Sequence, residues 1–277
     1  MIAALCCYDE KPARAKRIAD AMAIGIVESG DRATVAPFGS IAPDKFDVVI
    51  GYGWRHPQVF DQARQFVFCD LGYWNRDATT GYNKVIVGGR DPSTYFRKNL
   101  PADRIQRLGI QVKPWRPVLG PDAHILIAGH SEKHAGTLGY AAQQWEAETI
   151  AKLRAIAKRP LLYRPKPSWL DATPIDGAKF SHGQLEDDLA NCWAVVAHAS
   201  NVAVDALIEG IPVYVEAGPA KRLSIPRLED IENPVMPDGR EQLLADLAYC
   251  QWSLDELRSG ECWRHLKKHT PLCQGTR

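Results

Sequence analysis

Residues 194–215 read AVVAHASNVAVDALIEGIPVYV. Ala194–Ala197 is a short apolar run, the signal of a buried strand. His198, Ala199, Ser200 and Asn201 follow, and a helical pattern then runs from Val202 to Glu209, where Gly210 stops it. Pro212–Val215 is apolar again. Strand, helix and strand in so short a span form the crossover unit of a parallel sheet. Ser200 or Asn201 is placed to cap the helix. Free backbone N–H groups and the helix dipole favour an anion at such a turn, a phosphate or a sulfate. Asp205 lies one turn further on, where a carboxylate accepts hydrogen bonds from hydroxyls in the same cleft.

The same alternation extends in both directions. Towards the amino terminus, His124–Ala128 and Pro160–Tyr163 read as strands, and Leu185–Asn191 as a short helix. Gln143–Ala157 is a helix with Trp145, Ile150, Leu153 and Ile156 inward. Gly129-His130-Ser131 is a tight turn after the first of these strands. The first third repeats the theme, with strands at Ile2–Cys7, Ala33–Phe38, Asp47–Gly51 and Phe66–Asp70 and helices at Lys11–Ser29 and His56–Gln65. Residues 84–89, KVIVGG, add a strand and Arg104–Leu108 a short helix. Residues 113–121, KPWRPVLGP, hold three prolines and a glycine, a stiff linker and the expected domain boundary. Leu243–Leu257 reads as a last amphipathic helix before a polar tail.

Totals set limits on function. The chain has 277 residues, is 45% hydrophobic and carries a net charge of +1, enough apolar material for two modest cores and no sign of a strongly basic protein overall. No apolar run reaches the about 18 residues of a membrane helix, and the start, MIAALCCYDEKPAR, reads as a buried strand rather than a signal peptide. The seven cysteines show no CxxC or zinc spacing and are expected to be reduced core thiols of a cytoplasmic protein. Charge is nonetheless uneven. Between Arg76 and Arg116 nine Lys/Arg face three Asp/Glu, a local excess of +6 that permits either a solvated face or an anionic substrate. GxxxxGK[ST], GxGxxG after the first strand and GxSxG are all absent, which argues against P-loop, dinucleotide-dehydrogenase and serine-hydrolase chemistry. No acidic cluster has metal spacing, so neither metal nor cofactor is expected.

Residues 200–213, SNVAVDALIEGIPV, resemble the signature of GT-B glycosyltransferases and are most similar to the capsular-polysaccharide (Kdo-transferase-like) group. In that family small hydroxyl residues bind the donor diphosphate, and an acidic residue, usually Glu, binds the donor sugar. Asp205 stands here for Glu and Asn201 for the usual Thr. The likeness covers mainly Ile125–Val215, and nucleotide-sugar epimerases of the same fold carry similar sequences. Tyr163-Arg-Pro-Lys-Pro167 resembles the family's basic-Pro segment, which places Arg164 and Lys166 by a diphosphate, and Gly129-His130-Ser131 matches a donor-contacting turn.

The resemblance implies an α/β fold of two Rossmann-like domains facing a cleft. Residues 1–115 are then the acceptor side, 121–245 the nucleotide-sugar donor domain, and 246–277 a C-terminal helix and tail that crosses back, anchored by Trp252 and Trp263. Donor contacts are expected from Gly129, His130, Ser131, Arg164, Lys166, His198, Ser200, Asn201 and Asp205. A catalytic base must reach the acceptor hydroxyl, and the strand-end candidates are Asp9, Glu10, His56 and Asp70, with Tyr73 and Trp74 offered as a stacking surface beside Asp70. The expected partners are a nucleotide sugar and a hydroxyl acceptor, either a glycan or a hydroxymethylated DNA base. An epimerase or hydrolase of the same fold, or a non-catalytic nucleotide-sugar-binding protein, are the competing readings.

Overall fold

The computed structural model describes residues 1–77, 80–90, 99–116 and 119–272. Arg97 and Lys98 of the basic stretch, Pro117 of the proline-rich segment and Cys273 lie outside them. The chain divides into two compact units, residues 1–104 with 245–277, and residues 105–244.

The first unit opens with strand β1 (Ala3–Tyr8), helix α1 (Ala13–Glu28), β2 (Arg32–Pro37), β3 (Val48–Tyr52), α2 (Pro57–Asp61), β4 (Phe66–Leu71), β5 (Asn83–Val87) and the start of α3 (Asp103–Arg107). The second unit contains β6 (His124–Ala128), α4 (Glu132–Thr137), α5 (Gln144–Ile156), β7 (Leu161–Arg164), β8 (Lys179–Phe180), α6 (Leu185–Ala190), β9 (Cys192–Ala197), α7 (Val202–Ile208), β10 (Val213–Val215) and the start of α8 (Arg240–Ala248). The chain then returns to the first unit as β11 (Gln251–Trp252), α9 (Leu254–Arg258) and α10 (Glu261–His269).

The first sheet has the order β11-β5-β4-β3-β1-β2. Strands β2, β1, β3 and β4 are parallel, as the alternation of strand and helix requires. Strands β5 and β11 run antiparallel at one edge, a departure from the all-parallel expectation. The cause is the short β4–β5 connection, which is too brief for a crossover and reverses the chain. Ile18, Met22 and Ile26 of α1 are buried together, as their spacing predicts. Burying each apolar side chain of that size contributes roughly 1.5–3 kcal/mol.

The expected helix Leu243–Leu257 is not continuous. It breaks at Tyr249–Ser253, where Gln251 and Trp252 join the sheet edge opposite Lys84 and Asn83. Ser253 then starts α9 with a reciprocal capping box to Glu256. The sheet pairing and this cap outweigh the helical periodicity of the segment. Trp252 and Trp263 are both fully buried, and Trp263 Nε1 donates to Asp31 Oδ2 at 2.9 Å. Leu257, Cys262, Trp263 and Leu266 therefore join the first unit's core. Gly25 of α1 lets the carbonyl of Leu257 approach so closely that a β-carbon there would sit 1.9 Å from it.

On α10, burial, reinforced by the positive charge of His269, Arg104 and Lys268, lowers the pKa of His265 to about 3. The folded state therefore keeps this ring neutral while the unfolded chain protonates it near pH 6.5. Stability is present above that value and is lost as pH falls towards 3, by roughly 1.4 kcal/mol per pH unit. Acid melts of His265→Gln should be flatter than wild type between pH 6 and 4; parallel curves would refute this assignment.

The second sheet has the order β10-β9-β6-β7-β8, and every pairing is parallel. Counted from its first strand this is 3-2-1-4-5, the doubly wound arrangement. Its core joins Ile125 and Ile127 of β6, Trp145, Ile150 and Leu153 of α5, and Trp193 and Val196 of β9. Ile156 was expected inward but is 38% exposed. It sits at the last residue of α5, beyond the reach of the sheet. Six cysteines, at positions 6, 7, 69, 192, 250 and 262, are free and buried. No helix among the described residues is long and apolar enough to cross a membrane.

Candidate functional site

A doubly wound sheet has one place where neighbouring strands send their connections to opposite sides, and ligands collect at the carboxyl ends of those two strands. In the second unit the two strands are β6 and β9. Gly129, His130 and Ser131 follow β6, and His198, Ala199, Ser200 and Asn201 follow β9. The two segments singled out from sequence thus meet at one point of one sheet.

His130 is 7% exposed and stacks on His198 with ring centroids 5.9 Å apart and planes at 18°. His134 of α4 stands edge-on to both rings, at 5.4 and 5.7 Å. Nδ1 of His130 lies 2.6 Å from Oε1 of Glu146, which also accepts the His130 backbone N–H at 3.0 Å. Nε2 of His198 lies 3.7 Å from Oε2 of Glu216, whose other oxygen accepts from Trp145 Nε1 at 2.9 Å. Burial lowers the His198 pKa, the Glu216 charge opposes this, and the neighbouring His130 adds to it. Ser131 does not end in a bare turn: its hydroxyl caps α4 by accepting from His134 N.

At the β9 end, capping falls to Ser200. Its hydroxyl accepts from Val202 N at 3.2 Å, while Asn201 adopts helical angles and makes no side-chain cap. Asp205 is half-buried on α7, between the buried pairs Ala203–Val204 and Ala206–Leu207. Arg164 ends β7 with its guanidinium committed, donating to Asp188 Oδ2 at 2.7 Å and to the Gly183 carbonyl at 2.8 Å. Lys166 is exposed. The Asp188 carboxylate explains why Arg164 can be half-buried, and it leaves Lys166 as the more available cation of that pair.

The first unit has its own reversal point, between β1 and β3. Asp9 follows β1 and His56 follows β3, and Nε2 of His56 lies 2.8 Å from Asp9 Oδ1. The His56 ring stacks on Phe38 at 4.6 Å, and its Nδ1 has no hydrogen-bond partner among the described residues. Glu10 is exposed. Asp70, near the end of β4, accepts from the backbone N–H of Leu71 at 2.8 Å. Burial and the Asp70 charge raise the neighbouring Tyr52 pKa to about 12. Tyr73 and Trp74 are 0% and 4% exposed, so they are core and not a stacking surface. Gly72 brings the chain close to Tyr82 and Gln251, and the Tyr73 N–H donates to Gln251 Oε1 at 2.7 Å. That contact draws both rings inward.

Three of the nine cations between Arg76 and Arg116 are paired with carboxylates inside their own unit. Arg104 is fully buried against Trp252, with its cation 3.8 Å from the ring centroid, and pairs with Glu256 at 2.8 Å. Lys113 and Arg116 share Glu209 at 2.6 and 3.3 Å. Counting charges along a window misses partners that lie more than 90 residues away. Among the described residues no group of three or more His, Cys, Asp or Glu side chains is arranged to hold a metal ion.

Glu146, Glu216 and Trp145 complete the second unit's site and were not anticipated. Glu146 looks like an ordinary acid in a first helical turn, and nothing in its sequence setting marks it as buried.

No family model matches the chain, and no curated protein does. Solved structures do match. Thermosulfurimonas dismutans KpsC, β-Kdo 2,4-transferase, aligns over 89% of this chain and 90% of its own, with 13% identity and a TM-score of 0.54. The β-Kdo 2,7-transferase of the same protein aligns over 96% and 99%, with 12% identity and a TM-score of 0.56. At such identities the likeness is one of fold, and the chain has a GT-B-like architecture of two Rossmann-type α/β units.

Proposed function

We propose that the protein is a glycosyltransferase that moves a sugar from a nucleotide-activated donor to a hydroxyl acceptor. The observation that carries the reading is the meeting of His130, His198 and Ser200 at the reversal point of a GT-B-like second unit. In this reading that unit holds the donor, with Ser200, Asn201 and Lys166 at its phosphates and Asp205 on a sugar hydroxyl. Asp9 and His56 in the first unit take the proton of the acceptor hydroxyl. A bond forms from the acceptor oxygen to the anomeric carbon, the anomeric carbon–phosphate oxygen bond breaks, and the departing phosphate keeps the electron pair. Cationic and hydrogen-bonding groups around that phosphate lower the barrier by stabilising its charge.

Both similar structures are named Kdo transferases, which puts an activated Kdo first in a donor screen. Nucleotide sugars are to be incubated with and without glycan and hydroxymethylated-DNA acceptors and the products read by mass spectrometry. Acceptor-dependent consumption of one donor is the expected result. Consumption without an acceptor would identify an epimerase or hydrolase, and binding without consumption a non-catalytic protein.

Asp205→Ala should weaken donor binding by roughly 1.5–3 kcal/mol, the worth of a hydrogen bond to a charged acceptor. Its melting temperature should change little, because Asp205 is half-buried. Unchanged donor affinity with a large loss of stability would make Asp205 a structural residue.

A further inference from the structure

Asp9, Phe38 and His56 follow three adjacent strands, β1, β2 and β3, with β1 in the middle. The rings that follow β2 and β3 meet across the end of β1. The Phe38 N–H donates to the Tyr8 carbonyl at 3.0 Å, one rung beyond the end of β2 and next to Asp9. Gly39 then turns the chain away at φ +79°. The Phe38 ring stacks on His56 with centroids 4.6 Å apart and planes at 23°, and it meets the Phe60 ring edge-on at 5.9 Å. Gly51 of β3 makes room for this ring. A β-carbon there would run into Phe38 Cζ and lie 2.9 Å from Phe60 Cζ.

His56 is held from two further sides. It precedes Pro57, which restricts its backbone. Its Nε2 lies 2.8 Å from Asp9 Oδ1. An ionised carboxylate accepts and never donates, so Nε2 carries the proton and Nδ1 the lone pair. The His56 side chain is 32% exposed, and Nδ1 is not among the occluded polar atoms.

We propose that the basic atom of the acceptor side is Nδ1 of His56 and that Phe38 is its positioning residue. This deepens the transferase reading and rests on it. The Asp9 bond and the Phe38 stack together fix the tilt and rotation of the imidazole, so Nδ1 keeps one direction. The acceptor proton passes from the hydroxyl oxygen to Nδ1, and the O–H electron pair stays on that oxygen. The oxygen bonds the anomeric carbon as the donor phosphate leaves with its own pair. The imidazolium formed is balanced by Asp9, and a cation over an aromatic face is attracted by the ring quadrupole. The stack therefore strengthens as the proton arrives.

The test uses the whole protein labelled with 15N-histidine. The wild-type His56 ring is expected in the Nε2–H form, and an Nδ1–H form overturns the proposal without any variant. Phe38→Leu should mix the two ring forms of His56. It should also slow acceptor-dependent turnover by about 10–10²-fold, the scale of a misplaced catalytic group, with donor affinity unchanged. In a His56→Ala protein the same substitution should cost nothing further, since Phe38 acts only through that ring. An equal loss in both proteins overturns the positioning role and leaves Phe38 as packing. Gly51→Ala displaces the Phe38 ring and should reproduce both effects, which keeps the proposal testable if Phe38→Leu does not fold. A His56 ring form that depends on Phe38, in a protein that consumes no nucleotide sugar, leaves the positioning standing and removes the transferase reading. Acceptor-dependent turnover that Phe38→Leu leaves unchanged does the reverse.

Discussion

His56→Ala is expected to lower turnover of the donor–acceptor pair by about 10²–10⁴-fold, the usual worth of a positioned general base. Asp9→Asn should fall in the same range. Asp9 Oδ1 and His56 Nε2 are 2.8 Å apart, and groups that act as a unit are not additive when removed. The double variant should therefore be no slower than the worse single variant. Donor affinity should be unchanged in all three, because neither residue belongs to the second unit. Steady-state rates and donor titrations on the three proteins decide the matter. Multiplicative losses would show that the two residues work separately, and a greater loss in Asp70→Asn would move the base to β4.

Trp263→Ala should give the largest stability loss among single substitutions in the first unit. The ring is fully buried, and removing a buried Trp costs about 3–5 kcal/mol. Its Nε1–H is also lost to Asp31, whose carboxylate accepts from Ile2 N at 2.8 Å and Lys267 Nζ at 2.6 Å. Burial opposes the Asp31 charge, but these bonds prevail and lower its pKa. A drop in melting temperature of about 10 °C is expected for a chain of this size. A shift of only about 1–2 °C would mean that α10 contributes little to the first unit.

What the sequence made legible was local. The strand at Ala194–Ala197, the stop at Gly210 and the apolar face of α1 depend on residues close in sequence, and all are present in the fold. His130 and His198 were also within reach, because a polar residue just after a buried strand has only the strand's end to occupy. Glu146 was not, since its burial follows from an acceptor-seeking imidazole 16 residues away. Leu243–Leu257 failed for a similar reason. Its helical period is real, but Gln251 and Trp252 answer to β5, more than 160 residues earlier. Tyr73 and Trp74 were misplaced because aromatic residues after a glycine look the same whether they face solvent or the core.

The first unit is assembled from two stretches that flank the second, residues 1–104 and 245–277, whereas the second is one uninterrupted stretch. On the ribosome this reverses the customary order of maturation, in which the earliest residues to emerge settle first. Residues 105–244 can close their sheet as soon as they have emerged. Strands β1–β5 must wait, with Asp31 and the Gly25 face of α1 uncovered, until α9 and α10 are synthesised. A nascent chain halted near residue 250 would thus carry a finished second unit and an unfinished first. Slow synthesis or premature release in that interval would expose the apolar surface of α1 to aggregation, and the protein's yield should depend strongly on α9 and α10.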